Sequence, residues 1–351
     1  MLFIFYYLCE VIEDNLMVAH NYRNKITYLS FVMSILIIYR HAISLDIYSN
    51  MPLLLYGIES FVSHFTDIVV PTFFTLSGFL FFQNFSFSNI ISKLKSRFFT
   101  IVIPFLIWSF IGFIFFYVAF NFVGDKMNSV MPKFEPITWF TDVFIHTKYN
   151  VTWFLRNLIC YIYITPLIYF LIKHRVVGIV FLLLLFCVTY YIPHSLLLYL
   201  IPFALGGYCG IHHKQIVENK YDTKAIIVAL SFLLISTLLE TIYNVPQGTT
   251  MIMPLRLLQV VAVWILADVL AVNTPPQWWE TISFFIYCIH SMILESIQKI
   301  FFILFHNTAM GAVIDFLFAP VLTFVLILLA AYICRKKPFV WKCLTGNRGS
   351  K

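Results

Sequence analysis

Ten long apolar runs constrain this chain more than any other feature: residues 27–45, 66–82, 98–120, 151–172, 176–192, 195–211, 225–243, 252–272, 281–305 and 311–334. Each is close to the roughly 17–25 residues that a helix needs to cross a bilayer. Of the 351 residues, 61% are apolar and 11% are charged, whereas a soluble domain carries about 25% charged residues. That surface excludes a soluble enzyme, a coiled coil and a disordered chain. The expected fold is an all-α integral membrane protein, a single bundle of about ten transmembrane helices. Pro52 to Val62 is too short to cross and holds Glu59, so it reads as an interfacial or re-entrant stretch.

Orientation follows from Lys and Arg, which accumulate in cytoplasmic loops. With both termini cytoplasmic, 16 of the 23 basic residues fall on the inside, and five of the six inside segments carry them. The chain then divides into a cytoplasmic N-terminal segment (1–26), a transmembrane domain (27–335) and a cytoplasmic basic tail (336–351). The net charge of +7 reflects this bias and calls for no nucleic-acid partner. Met1 to Cys9 is apolar but lacks a basic start and a small-residue cleavage site, so no signal peptide is expected. The seven cysteines have no ligand spacing and read as small buried apolar residues, with no metal site. The longest outer segment, Asn121 to Asn150, is too short to be a domain. Any chemistry must therefore lie within the bundle.

Charges in hydrocarbon are costly, so each ionisable residue in a span is a functional candidate. Span one carries Arg40 and His41, span four Arg156, span eight Arg256 and Asp268, and span nine His290, Glu295 and Lys299. Glu240 and Asp315 lie near span ends, where the interface makes a charge cheap. At about 1.5 Å per residue His41 is ~21 Å along span one, in the outer half. Arg156 and Arg256 lie about one turn inside the outer ends of their spans. A cationic cavity open to the outside is one reading; snorkelling arginines are the other. His290 lies nearer the midplane, where Ser283, Tyr287 and His290 form a polar stripe. That stripe suits either a substrate route or bonding between helices.

Several landmarks then occur in order. They are Ile37-Ile38-Tyr39-Arg40-His41-Ala42, Phe73-Phe74-Thr75-Leu76-Ser77-Gly78-Phe79-Leu80, Lys95-Ser96-Arg97-Phe98 with Ile103-Pro104-Phe105-Leu106-Ile107-Trp108, Trp153-Phe154-Leu155, and Ser283-Phe284-Phe285-Ile286-Tyr287-Cys288-Ile289-His290. In these the chain resembles the acyltransferase-3 family across residues 27–335. The resemblance implies a membrane acyltransferase that moves an acyl group, usually acetyl from acetyl-CoA, onto a hydroxyl of an extracytoplasmic carbohydrate. One position departs: the family has an arginine ten intervening residues before the span-one histidine, and here that residue is Ser30. A contact to acyl-CoA from that arginine must then come from Arg23, Lys25 or Arg97.

The expected roles follow. His41 is the catalytic residue, as base on the hydroxyl or as covalent carrier, because histidine titrates near neutral pH. Arg40, Arg156, Arg256 and Trp153 are candidates for the oxyanion or the acceptor. Lys95 and Arg97, beside Lys93, are candidates for the donor phosphates, and Ser283, Tyr287 and His290 for the pathway of the acyl arm. The expected surroundings are the lipid bilayer, acyl-CoA and a glycan, in a bacterial plasma or inner membrane. The competing class is a transporter or flippase of a lipid-linked glycan or acyl group. Against it, the sequence shows no matched pair of broken helices.

Overall fold

A computed structural model of the chain describes residues 23–83, 85–123, 139–147, 149–215, 219–270 and 274–348. Backbone N–H and C=O groups find no partners in lipid, so a spanning segment must satisfy them internally. Among the described residues all regular structure is accordingly helical. The α-helices of eight or more residues are α1 (23–41), α2 (Leu53–Thr66), α3 (Val69–Phe82), α4 (Ile90–Arg97), α5 (Ile103–Val123), α6 (Thr152–Tyr163), α7 (Thr165–Ile172), α8 (Arg175–Tyr191), α9 (Leu200–His212), α10 (Thr223–Ile242), α11 (Met253–Leu266), α12 (Ser283–Phe305), α13 (Ala309–Arg335) and α14 (Pro338–Thr345). A five-residue π-turn, Phe98–Val102, joins α4 to α5.

Each of the ten apolar runs is helical through its centre. Six helical stretches are long and apolar enough to cross a membrane, and a seventh crossing follows if α6 and α7 count as one bent span. The chain is a multi-pass membrane protein. Its outward side chains form a lipid-facing belt, with Leu183, Val228, Ile235, Leu304 and Ile333 all exposed. The α6–α7 pair bends by 64° just before Pro166, a break that the continuous apolar run conceals. Proline lacks the N–H and crowds the preceding turn, which accounts for the bend.

The stretch expected at the interface, Pro52 to Val62, forms most of α2, which continues through a two-residue turn into α3. Glu59 is fully buried there, accepting from Ser44 N at 2.6 Å and Ser44 Oγ at 2.7 Å. Glu240 and Asp315, expected at a wet interface, are also buried, at 2% and 0% exposure. Pairing within the bundle, described below, takes the place of an interface for Glu240, while Asp315 has only Gln298 Nε2, at 3.5 Å, among the described residues.

The tightest helix contact is α3 against α9. A Cβ on Gly78 would stand 2.0 Å from Phe203 O, and one on Gly206 2.0 Å from Thr75 O. Only hydrogen on those two Cα atoms lets the backbones approach this closely, the usual use of small residues in membrane bundles. The segment expected as a basic tail folds back as α14. Trp341 is buried at 3% exposure, and Trp108 Nε1 donates to Leu344 O at 2.8 Å. The N-terminal 22 residues and most of the 121–150 segment lie outside the described residues.

Candidate functional site

His41 is the last residue of α1, and His290 lies two turns into α12. Their rings meet with centroids 5.0 Å apart at 53°. His290 is fully buried, with Nδ1 2.7 Å from Tyr287 O. A carbonyl oxygen can only accept, so Nδ1 carries the proton and Nε2 carries the lone pair. That Nε2 is buried without a hydrogen-bond partner among the described residues. The neighbouring bonds hold α12 in register. Tyr287 donates its hydroxyl to Val151 O, Tyr149 donates to Cys288 O at 2.6 Å, and Gln298 Nε2 donates to Ala42 O at 3.2 Å. The sequence reading set the two histidines at different depths. No spacing along the chain links them, and only the crossing of α1 and α12 does.

A cavity of about 200 Å³ surrounds His41, lined by Arg40, Asp67, Trp153, Phe154, Tyr199 and Tyr287 among others. Arg40 Nη1 donates to Ser63 O and Ser63 Oγ, both at 2.8 Å, and its Nη2 is 3.9 Å from Asp67. On the far side of Phe73, Phe154 and Tyr287 lies a second cavity, of about 340 Å³, which those three residues also line. It extends towards the start of α1 and carries the hydroxyl groups of Thr27, Ser30, Ser77 and Ser283, with Arg97 and Arg348. Trp153 and Tyr199 of the His41 cavity also line a third space of about 490 Å³. Tyr190, His194, Thr249 and Thr250 line that third space, and the Trp153 and Tyr199 rings are 5.2 Å apart. Three cavities with shared walls therefore lie in the bundle, and His41 lines the one that borders both of the others.

The four candidates for the oxyanion or acceptor separate. Arg40 and Trp153 line the His41 cavity. Arg256 does not: it is 2% exposed and bonded to Asp67 at 2.9 Å, Glu240 at 2.6 Å and Gln259 at 2.6 Å. Arg156 also faces elsewhere, donating to Ile145 O at 2.6 Å and to Asn157 Oδ1. The expected convergence of arginines on one cationic cavity is thus replaced by Arg40 beside Asp67. The acidic partners sit far away in sequence, so the depth of an arginine along its span did not reveal them.

Ser283 and Tyr287 line the second cavity and Tyr287 reaches both. Arg97 lines it as well, whereas Lys95 is exposed on α4 and outside it. Of the residues considered in place of an arginine at Ser30, Lys25 is committed to Asp268 at 2.5 Å and stacks 4.0 Å over Trp264. Arg348 was missed, because it appeared only as part of a basic tail. Among the described residues no group of three or more His, Cys, Asp and Glu is arranged to hold a metal ion.

The acyltransferase-domain family matches residues 23–335 of the chain. The succinoglycan biosynthesis protein ExoH of Rhizobium meliloti (strain 1021) is 27% identical over 311 residues, covering 80% of this chain and 79% of the relative. No solved structure matches.

Proposed function

The chain belongs to the acyltransferase-domain family, and from that premise we propose that it moves an acyl group, acetyl in the simplest case, from cytoplasmic acyl-CoA to a hydroxyl of an extracytoplasmic carbohydrate. The observation that carries this reading is the cavity at His41, which shares Phe73, Phe154 and Tyr287 with one neighbouring space and Trp153 and Tyr199 with another. The space bearing Arg97 takes the donor, and the space lined by Trp153, Tyr190 and Tyr199 takes the acceptor. Aromatic faces with nearby hydroxyl groups suit a sugar, which has an apolar face and a polar rim. The relative's part in succinoglycan biosynthesis supports a polysaccharide acceptor. The reading includes ten crossings with both termini in the cytoplasm, supported by the excess of Lys and Arg on that side.

In this mechanism His41 takes the proton of the acceptor hydroxyl as the oxygen attacks the thioester carbonyl. The negative charge on the tetrahedral carbonyl oxygen is met by Arg40, whose cavity it shares. Collapse expels the CoA thiolate, which recovers the proton from the imidazolium. The products are the O-acyl ester and the CoA thiol. His290, with its proton fixed on Nδ1, lies outside the cavity lining and positions the His41 ring through the contact between the two rings.

The test is transfer of labelled acetyl from acetyl-CoA to a polysaccharide acceptor in proteoliposomes. His41→Ala is expected to lose about 10²–10⁴-fold in rate while inserting normally. If His41→Ala keeps more than about a hundredth of the rate, His41 is not the base. If His290→Ala alone abolishes transfer, the assignment moves to His290. No consumption of acetyl-CoA with any glycan would return the transporter reading.

A further inference from the structure

α14 is clamped to the bundle by more than its apolar face. Trp341 packs against Phe285 with ring centroids 5.2 Å apart, and its Nε1 donates to the Arg348 carbonyl at 2.9 Å. Beyond α14 the chain reverses through two successive left-handed residues, Gly346 at φ 63° and Asn347 at φ 70°. Glycine and asparagine are the residues that accept this conformation most readily. At Gly346 a Cβ would stand 2.5 Å from Thr100 O, so the reversal is seated against the π-turn through a contact that requires glycine.

This turn brings Arg348 into the cavity that also holds Arg97. Its guanidinium carbon lies 4.3 Å over the Phe284 ring, and Nη1 is buried without a hydrogen-bond partner. Among the described residues neither Arg97 nor Arg348 has a carboxylate partner. Burial, with Arg97 nearby, pushes Arg348 down to about 10, which leaves it charged at neutral pH. Two half-buried positive charges without a counter-ion are unfavourable until an anion joins them. The planar guanidinium fork matches phosphate oxygens in pairs.

We propose that Arg348 and Arg97 form a phosphate site at the mouth of this cavity, and that it holds a phosphate from the nucleotide end of the acyl-CoA donor. The inference rests on the donor reading above. From Ser30, in the same cavity, to His41 is about 16 Å along α1, a distance an extended pantetheine arm covers. Ser30 is also where the resemblance calls for arginine, so the C-terminal turn supplies a guanidinium to a cavity whose α1 wall lacks one.

The test compares acetyl-CoA with S-acetylpantetheine, which has no phosphate, as donors for the full chain in proteoliposomes. Arg348→Ala is expected to raise KM for acetyl-CoA about ten- to hundredfold, the size of one lost charge-assisted bond, and to leave KM for S-acetylpantetheine unchanged. Lys342→Ala removes the same charge from an exposed position on α14 and is expected to change neither. Arg348→Lys, which keeps the charge, should recover part of the affinity. If Arg348→Ala fails to accumulate, Arg97→Ala carries the same expectation. An equal penalty on both donors would mean that Arg348 only fastens the C-terminal turn, and overturns the proposal. So does a penalty confined to vesicles containing anionic lipid, since the phosphate would then be a lipid headgroup. An unchanged KM beside an active wild type refutes the site alone, whereas a wild type that uses neither donor refutes the donor reading as well.

Discussion

Replacing Arg256 with methionine separates a structural arginine from a catalytic one. Arg256 is 2% exposed, and its guanidinium holds Asp67 at 2.9 Å, Glu240 at 2.6 Å and Gln259 at 2.6 Å, tying α11 to α10 and to the α2–α3 turn. Methionine fills much of the space but leaves Glu240, itself 2% exposed, as a buried charge without its partner. Breaking a buried pair in this way costs about 3–5 kcal/mol. That is a large part of the about 5–15 kcal/mol by which folded proteins are typically stable. Neutralising the stranded acid in Arg256→Met/Glu240→Gln should recover a substantial fraction, because neighbours in one network do not act additively. The assay is the fraction of detergent-solubilised protein that stays monodisperse after stepwise heating, alongside kcat at low temperature. Wild-type thermal stability in Arg256→Met, with kcat down about 10²–10³-fold, would be the signature of a lost oxyanion donor. That result would refute the assignment of Arg256 to the frame.

Two further outcomes follow from the geometry. Gly78→Ala needs α3 and α9 to move apart, since its Cβ would meet Phe203 O at 2.0 Å; overpacking of this kind costs about 1–3 kcal/mol. Gly57→Ala, with nothing within 4 Å of the new atom, should leave the same heating curve unmoved, and equal curves for the two would disprove the close-contact argument. Arg97→Ala should raise KM for acetyl-CoA while Lys95→Ala does not, because Arg97 lines the cavity and Lys95 faces out; a reversed order in donor titrations would contradict the cavity assignment.

The sequence by itself determined that the chain is a helical membrane protein, because hydrophobicity and backbone satisfaction in lipid are local properties of each run. It also determined the landmarks that mark the family, including the Ser283 to His290 helix and the Arg40-His41 pair. Only the tertiary structure decided which charges share a site. His41 meets His290, Arg256 meets Asp67, and Arg348 meets Arg97, each across a long stretch of chain. A residue's depth along its helix can be read by counting, but the rotation of that helix about its axis cannot. That rotation is set by packing, as where Gly78 and Gly206 let two backbones touch, and by the cost of leaving any buried charge alone. The same cost drew Arg256 into the frame and left Arg40 beside His41. The reversal at Gly346 and Asn347, which turns an apparent basic tail into one wall of a cavity, depends on contacts with Thr100 and Trp108 far earlier in the chain.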